Sequence, residues 1–539
     1  MPHCARAAKL DLIPAMALSF MAFACSQSVV SPAAGTGGQA SGGTGSGGKG
    51  SGGAMGGSQA TGGSSAMGGS QSSGGAASGG QPASGGSGRG GGAGATGTGG
   101  ATGAGGSGPG GSGPGGSGPG GSGVDGAVVI APTACSTGSA QSSDVTVNLA
   151  SLQQKISGFG VSSAWAGSYN NASDPDYLWS TTTGAGLTLL RIRYGDGLAI
   201  AQSAAKSGVT VWMTPWGTGA NGSPGGPDTT TESNPNGCNG SMPVLSNPQG
   251  LATSLVSWVQ NAKTQGVPIY AVSAGNEPDS CGINNTTSYS PAEMAAWIDV
   301  LGPALAAIGV KLMAPETENG YGFPGFYSAI HGDSAAWAAV NIFASHEYGS
   351  PPPAEPAIAA AGKEYWETEV DTGTAPGDSS GDGIASALLM AKAMHSDLTT
   401  LNLNAWHLWW LYEGGNSGGC LYDTGSKVWT KRLWVMGNFS RFVRPGYVRV
   451  STSGTVPSGV MLTAYQNPAD GTVVVVAINN NTSTTPLSLY ISGVVPCSIT
   501  PWVTSASDNL ASQSAITVSN ARFSATLAAQ SVTSFVGTP

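Results

Sequence analysis

YAVSAGNEPD, residues 270–279, and EYWETEV, residues 364–370, are the two stretches that decide the fold of this chain. Each begins with apolar residues that predict a buried strand and then brings a glutamate, Glu277 in the first and Glu369 in the second. The two glutamates are 92 residues apart. Parallel strands of one barrel end at the same face, so we expect both carboxylates to project into a single cleft.

Outward from these stretches, short apolar runs alternate with longer segments that can form helices. Eight runs fit this pattern: 156–162, 189–194, 210–214, 269–274, 311–314, 342–345, 364–368 and 405–411. Eight buried strands alternating with helices predict an α/β fold, the (β/α)8 TIM barrel, over residues 156–438. Active sites of such barrels lie at the C-terminal strand ends, where Trp216, Glu277 and Glu369 follow the third, fourth and seventh runs.

After residue 438 the apolar residues recur with a period of two, as in LSLYISG at 487–493. This pattern, interrupted by Gly, Pro, Asn and Asp, predicts an antiparallel β-sandwich over residues 439–539. The alternating segment DVTVNL at 144–149, within an N-terminal stretch 131–155, is expected to join that sheet. A disulfide between Cys135 and Cys497 would fasten it there.

The N-terminal part has the composition of an export signal and a tether. Residues 1–25 combine a positive start with an apolar run that stops at Cys25, as in a signal peptide. AFAC at 22–25 resembles a bacterial lipobox, which would place a lipid on Cys25; ordinary cleavage nearby is the alternative. Residues 26–130, rich in Gly, Ser, Ala and Pro, predict a disordered linker. We expect a bacterial protein outside the cell or on its outer surface, with that lipid as its only membrane contact.

The composition excludes some partners. The chain has 19 basic and 28 acidic residues and a net charge of −9. It has no run of basic residues that could neutralise phosphates, so we do not expect it to bind nucleic acid. A polysaccharide partner fits this composition better. Five cysteines follow Cys25, an odd number that leaves at least one unpaired. His346 and His407 lie near predicted strand ends, but without HExxH or CxxC spacing we expect no metal and no cofactor. We expect a monomer.

The glutamate pair suits one reaction. Cleavage of a glycosidic bond needs a proton donor for the leaving oxygen and an anion near the oxocarbenium-like carbon. Two carboxyl groups about 5 to 5.5 Å apart supply both with retention of configuration. Glu277 and Glu369 can divide these roles, whereas the simpler alternative is that both cap loops. Two strand-end glutamates in a chain with eight barrel units favour catalysis.

From about residue 144 to the end, the chain resembles glycoside hydrolase family 30, within the clan of retaining (β/α)8 hydrolases. The matching runs are SGFGVSSAW at 157, LLRIRYG at 189, MTPWG at 213, YAVSAGNEPD at 270, HEYGS at 346, YWETE at 365, LWWL at 408 and NFSRFVRPGYVRV at 438. The resemblance implies that Glu277 is the acid/base and Glu369 the nucleophile. It also implies that Asn276 hydrogen-bonds the sugar 2-hydroxyl and that Tyr348 orients the nucleophile.

The same resemblance points to tryptophans that bind sugar. Trp216 and Trp409 would line the sugar at the cleavage point, because apolar faces of sugar rings pack on aromatic rings. Trp165 and Trp410 are further candidates, and ordinary core packing is the alternative for each.

Arg191 and Arg193 alternate along the second strand. We expect one to point into the barrel and pair with a catalytic carboxylate, and the other to form a helix-facing salt bridge. We favour Arg193 for the inward position and count it among the substrate-binding residues.

The substrate is less constrained. The chain is most similar to the glucuronoxylan endoxylanases, which bind a glucuronate carboxylate with an arginine just after the eighth strand. Here that stretch, LYEGGNSGG at 411–419, contains Glu413, and no Arg or Lys precedes Lys427. We predict endo-cleavage of β-1,4-xylan without strict glucuronate dependence. The alternatives are a β-1,6-glucanase or β-1,6-galactanase of the same family and, in another class, a surface protein that binds glycan without cutting it.

Overall fold

The computed structural model describes residues 135, 137–217, 219, 225–282, 286–414 and 418–539. The predicted signal, Cys25 and the predicted linker lie outside the described residues. Within the described ranges, no helix is both long and apolar enough to cross a bilayer.

A closed barrel of eight strands confirms the predicted fold. Its strands, numbered along the whole chain, are β2 (Gly158–Ser162), β3 (Leu189–Arg193), β4 (Thr210–Thr214), β7 (Ile269–Ser273), β8 (Lys311–Thr317), β9 (Val340–Ser345), β10 (Glu364–Glu367) and β11 (Ala405–Leu408). Every neighbouring pair is parallel, and the order around the barrel follows the chain. All eight C-terminal ends therefore open on one face, which we call the mouth.

The barrel strands are apolar because both of their faces are buried. Trp212, Met313 and Trp366 fill the interior, whereas Leu190 and Ile192 point outward into the core beneath the helices. Burying one large apolar side chain contributes about 1.5–3 kcal/mol, so both faces of these strands are mostly apolar between their ends. This explains why the strands are visible as continuous apolar runs.

Two predicted strands end three residues from their predicted C-terminal ends, at 317 instead of 314 and at 408 instead of 411. The eighth run, 405–411, is interrupted because the Trp409 N–H donates to Val370 and the Trp410 N–H donates to Gly419, so the chain leaves the barrel there. Residues Trp410–Glu413 instead belong to a separate three-stranded sheet. The fifth strand runs to Thr317, beyond the predicted end at residue 314, and so includes Glu316.

Helices and short strands fill the connections between barrel strands and the segment from β11 to the C-terminal domain. The helices are α1 (Asp174–Trp179), α2 (Leu198–Lys206), α3 (Pro248–Thr264), α4 (Pro291–Ala306), α5 (Phe323–Gly332), α6 (Ser334–Ala339), α7 (Pro356–Ala360), α8 (Ile384–Ser396) with a π-helical turn at Asp397–Leu401, and α9 (Lys431–Ser440). The short strands are β5 (Thr229–Ser233), β6 (Ser241–Leu245), β12 (Trp410–Glu413), β13 (Cys420–Asp423) and β14 (Val428–Trp429). Local sequence signals determine where several helices begin. Ser290 and Glu293, for example, form a capping box at the N-terminus of α4.

The C-terminal domain is a mostly antiparallel sheet with its own apolar core. Its strands are β1 (Val145–Lys155), β15 (Val448–Ser453), β16 (Val460–Gln466), β17 (Val473–Asn479), β18 (Thr485–Ser492), β19 (Ser498–Thr504), β20 (Ala511–Ser512), β21 (Ile516–Thr517), β22 (Arg522–Leu527) and β23 (Ser531–Gly537). As predicted, the segment 144–149 joins this sheet: β1 pairs with β15 and, in parallel, with β18. Asn438 on α9 links the two domains through hydrogen bonds to Trp502 and Ser534.

The five described cysteines form two disulfides and leave one thiol, consistent with the odd number in the sequence. Cys135 and Cys497 form the predicted disulfide, and Cys238 pairs with Cys281, a pairing that the sequence left open. Cys420 is a buried thiol, the odd cysteine among the described ones. The second disulfide links the segment after β5 to the loop that follows β7, close to the mouth.

Asp144 fixes the start of β1, and we expect Asp144→Asn to lower the melting temperature near neutral pH. Arg522 donates two hydrogen bonds to its carboxylate, at 2.6 and 2.7 Å, and these lower the pKa of Asp144 to about 2. The unfolded pKa is about 3.9, so folding favours the ionised form. The stabilisation is complete above the unfolded pKa and is lost as the pH falls through the folded pKa.

Calorimetry near pH 7 and near pH 2.5 checks this expectation. The difference in melting temperature between wild type and Asp144→Asn should shrink at the lower pH. Asp299→Asn, at an exposed position on α4, is the matched control and should change little at either pH. An equal difference at both pH values would contradict the assignment.

Candidate active site

Glu277 and Glu369 meet at the mouth, as the sequence predicts. Glu277 follows β7 and Glu369 follows β10, and both are buried, at 5% and 4% exposure. One carboxylate oxygen of each and one ring nitrogen of His346 lie within 4.8 Å of one another. The two carboxyl groups are therefore close enough to act on one bond.

The backbone around Glu277 is held in an unusual conformation. Glu277 has φ +44°, in the left-handed region that non-glycine residues rarely adopt. Its N–H donates to the carbonyl of Glu316, which itself has φ +61°. The preceding residue, Asn276, is anchored by its N–H to Pro215 and by Thr286, whose hydroxyl donates to the Asn276 carbonyl. Such outliers concentrate at functional sites, where surrounding contacts maintain them.

Glu369 is held by two donors. Arg191 Nη1 donates to one carboxylate oxygen, and the Tyr348 hydroxyl donates to the other at 2.9 Å, the contact that the resemblance implies. Burial raises the pKa of Glu369, and the charges of His346 and Arg191 oppose that effect. The carboxylate is thus fixed in position with cations beside it.

His346 connects three carboxylates. Its Nδ1 lies 3.1 Å from Glu277 and 3.8 Å from Glu369, and its Nε2 lies 3.3 Å from Glu316. Burial works against the imidazolium, but Glu369, Glu277 and Glu316 outweigh it and raise the pKa of His346 to about 10. A ring protonated on both nitrogens donates on both sides and offers no lone pair to a metal ion. The contacts favour an ion-pair network over a metal centre at this cluster.

Arg191, not Arg193, pairs with Glu369, so the prediction for Arg193 is wrong. Residues two apart on a strand share a face, so both arginines point inward and differ only in depth. Arg191 is fully buried and contacts Glu369, Glu316 at 2.8 Å and Asn276 at 2.6 Å. Arg193, at the end of β3, pairs with Asp196 at 2.6 Å instead of a helix-facing partner.

Four tryptophans assemble beside the glutamates. Trp165, at 47% exposure and φ +61°, packs edge-on against Trp216, Trp409 and Trp410, with ring centroids 5.1, 6.0 and 6.1 Å away. The guanidinium of Arg193 lies 4.8 Å from the Trp165 ring. All four predicted tryptophans therefore share one wall of the mouth, and the sugar contacts predicted for them stay a prediction.

Residues 446–535 match the glycosyl hydrolase family 30 beta sandwich domain. The glucuronoxylanase XynC of Bacillus subtilis (strain 168) is 30% identical over 429 residues, which cover 76% of this chain and 95% of that protein. The chain belongs to glycoside hydrolase family 30. This confirms the resemblance, and the chain is a glycoside hydrolase.

Two solved structures of family 30 are similar over the same region. One is a GH30 endoxylanase from Clostridium papyrosolvens C71, with a TM-score of 0.63, 30% identity and coverage of 74% of this chain and 100% of that one. The other is the subfamily 8 xylanase Xyn30A from Clostridium acetobutylicum, with a TM-score of 0.64, 30% identity and the same coverage.

In this family 30 protein, two further carboxylates lie at the mouth, on the segments that follow β10 and β11. A Cβ placed on Gly419 would lie 3.2 Å from Asp371 Oδ2 and 3.4 Å from Glu413 Oε2, so both carboxylates face the same small space. Burial raises the pKa of Asp371 to about 6, and the Glu413 charge adds to that effect. We call Asp371 and Glu413 the acidic pair.

Sequence reasoning missed Glu316 and Asp371. Glu316 is completely buried and contacts Arg191, His346 and Thr214, yet it lies beyond the predicted end of its strand. The available signal was its place as the last residue of APE (314–316), at the C-terminal end of a barrel strand, the same signal that identified Glu277 and Glu369. Asp371, two residues after Glu369, carried a weaker form of that signal.

The two arginines should have different kinetic effects. We expect Arg191→Gln to lower kcat about 10- to 100-fold, because a charge-assisted hydrogen bond to a buried carboxylate contributes about 1.5–3 kcal/mol. Arg193→Gln, which removes a contact with Asp196 and the Trp165 ring, should change KM more than kcat. Steady-state kinetics on an aryl β-glycoside measures both. If Arg193→Gln lowered kcat as much as Arg191→Gln does, the different roles assigned to the two arginines would be contradicted.

Proposed function

We propose that this protein is a retaining endo-β-1,4-xylanase that does not require glucuronate side groups. The observation that carries the proposal is the pair of buried glutamates, of which one carboxylate oxygen each lies within 4.8 Å of the other, with Glu369 held by a cation. Retaining glycosidases have carboxyl groups about 5 to 5.5 Å apart, whereas inverting ones need about 6.5 to 9.5 Å to admit a water. The short separation favours retention.

In the first half-reaction Glu369 attacks the anomeric carbon while Glu277 gives its proton to the leaving oxygen. A covalent glycosyl ester forms at Glu369 as the glycosidic bond breaks. Arg191 and Tyr348 aim the Glu369 oxygens before the attack, and their contacts are preorganised. Asn276, fixed by Arg191 Nη2 at 2.6 Å, is positioned to contact the sugar 2-hydroxyl.

In the second half-reaction Glu277, now ionised, takes a proton from water as that water attacks the same carbon. The ester bond to Glu369 breaks, and the sugar leaves with its original configuration. The same two side chains thus serve both steps.

The comparisons favour xylan as the substrate. The two similar structures are a xylanase and an endoxylanase at 30% identity, and the B. subtilis relative is a glucuronoxylanase. They support β-1,4-xylan over the β-1,6-linked glucan or galactan that sequence reasoning kept as an alternative. A polymeric substrate outside the cell also fits the predicted export signal and the two disulfides, which form in oxidising compartments.

Charge near the nucleophile argues against glucuronate dependence. The acidic pair, Asp371 and Glu413, lies next to Gly419 in the stretch where glucuronate-binding relatives are expected to carry an arginine. Arg193, a cation at the rim, is already paired with Asp196. Two carboxylates repel a third carboxylate, so the site favours uncharged xylose units.

Products from a panel of polysaccharides test the reaction and the substrate together. We expect xylo-oligosaccharides of mixed length from linear β-1,4-xylan and from glucuronoxylan, and little release from β-1,6-glucan or β-1,6-galactan. NMR of the first products should show the β-anomer, since two displacements retain configuration. Initial release of the α-anomer would overturn the mechanism, and cleavage of β-1,6-glycans alone would overturn the substrate.

Variants of the two glutamates separate an enzyme from a glycan-binding protein. Glu277→Ala should lose about 10²-fold or more of turnover on xylan while still binding it, because general-acid catalysis is removed. Glu369→Gly should lose turnover and regain part of it with a small anion such as azide. A protein that only binds glycan would show no turnover in the wild type and unchanged binding in both variants.

Neutralising the acidic pair should improve activity on charged xylan. We expect Glu413→Gln and Asp371→Asn each to raise the ratio of kcat/KM on glucuronoxylan to that on linear xylan by about two- to tenfold, as removal of one nearby charge implies. Added salt should raise the wild-type ratio through screening. Asp299→Asn, on the outer helix α4, is the control and should leave the ratio unchanged. If neither Glu413→Gln nor Asp371→Asn changes this ratio of kcat/KM values, repulsion of glucuronate by the acidic pair is ruled out.

A further inference from the structure

Glu316 is a third buried glutamate at the mouth, and the reaction described above gives it no role. Its carboxylate contacts Arg191 at 2.8 Å and His346 at 3.3 Å, and it accepts a hydrogen bond from the Thr214 hydroxyl at 3.1 Å. Its side chain is completely buried. It therefore touches the two cations that hold the catalytic glutamates without facing the substrate.

These ion pairs form a closed set of charges. Arg191 and His346 bring two positive charges, and Glu316 brings one negative charge. Burial opposes ionisation of Glu316, but Arg191 and His346 lower its pKa, so it stays ionised. One positive charge is left over, and a single ionised catalytic carboxylate balances it.

The same balance holds in both halves of a retaining reaction. Before attack, Glu369 is ionised and Glu277 carries a proton. In the glycosyl-enzyme, Glu369 is an uncharged ester and Glu277 is ionised. One negative charge is therefore present on the catalytic pair in each state, and with Glu316 in place the buried cluster is neutral in each. Burying an unbalanced charge is costly, so neutrality matters here.

Other ionisable groups nearby do not replace Glu316. His407, behind the cluster, is buried, and its pKa is lowered to about 3, so it stays neutral. Glu367, on β10, is completely buried, and burial raises its pKa well above the ordinary value. Asp279, in the loop of Glu277, and Glu318, after β8, have raised pKa values because of burial. Asp279 and Glu318 both lie in loops at the rim. Among the described residues, neither carboxylate forms an ion pair with Arg191 or His346.

We propose that Glu316 is a charge-balancing positioning residue, which keeps one proton on the catalytic pair by neutralising one of the two cations that Arg191 and His346 place beside it. The inference rests on the proposed retaining function and adds a residue to it. Without this charge, ionisation of both catalytic glutamates would restore neutrality. The free enzyme would then lose its general acid, whereas the glycosyl-enzyme, which needs Glu277 ionised, would not be harmed.

The experiment compares Glu316→Gln, which keeps the shape and removes the charge, with Glu316→Asp, which keeps the charge. Profiles of kcat/KM against pH are measured on linear xylan for both variants and wild type. We expect the alkaline limb of Glu316→Gln to move to lower pH by about one to two units, the order expected for removal of one charge close to a titrating group. The limb of Glu316→Asp should stay in place even if its rate is lower.

A second substrate isolates the proton transfer. A dinitrophenyl β-xylobioside has a leaving group that departs without a proton. Near pH 7.5, Glu316→Gln should lose about 10²-fold on xylan, as expected for loss of general-acid catalysis, and less than about tenfold on the dinitrophenyl substrate. Equal losses on both substrates, or a lower rate without movement of the limb, would mean a merely structural role and would overturn the proposal.

A measurement on the wild-type protein does not depend on whether the variants fold. The two ring nitrogens of His346, one of five histidines, can be followed by ¹⁵N NMR and assigned with His346→Gln. Both should stay protonated through the alkaline limb of the wild-type profile; loss of a proton below that limb would overturn the proposal. If wild type does not cleave xylan or does not retain configuration, the proposed function fails first. The Glu316 comparison then runs on whichever glycan is cleaved.

Discussion

The buried guanidinium of Arg191 is the interaction on which the rest of the site depends. It is completely shielded from water, and burial works against its charge, yet the carboxylates of Glu316 and Glu369 raise its pKa. One side chain thus fixes Glu369, Glu316 and Asn276, which come from three different barrel strands or the loops that follow them. Since a buried charge is tolerated only with paired partners, removing any member leaves the others uncompensated.

This network also explains why unfavourable backbone conformations persist at the mouth. Glu277 and Glu316 both occupy the left-handed region, at φ +44° and +61°, and a hydrogen bond from the Glu277 N–H to the Glu316 carbonyl joins them. Each such residue costs about 1–3 kcal/mol, so the surrounding contacts must over-determine its geometry. His346, which contacts both side chains, is one such contact. These backbone conformations place the carboxylates of Glu277 and Glu316 on opposite sides of the His346 ring.

The barrel could be predicted from the sequence because strands buried on both faces have to be apolar runs, and the glutamates because polar residues interrupt such runs at the mouth. The same logic failed for Arg191 and Arg193. Residues two apart share a face, so the strand pattern does not separate them, and their depth decides which one reaches Glu369. Glu316 was missed for a related reason: an apolar run fixes where a strand is, but hydrogen bonds with its neighbours decide where it ends. The Cys238–Cys281 pairing depends on loops that no local pattern constrains.

The depth of a residue in the mouth determines how strongly its charge acts on its neighbours. Arg191, His346 and Glu316 lie below the glutamates and are completely buried, where a charge acts strongly because little water screens it. Asp371 and Glu413 lie on segments beyond the strand ends and are only partly buried, so solvent and salt weaken their effect. A change in the buried layer acts directly on the ion pairs around Glu277 and Glu369. A change at the rim leaves the ion pairs beneath it in place, so under the proposed function substrate preference can diverge within one barrel without rebuilding the buried network.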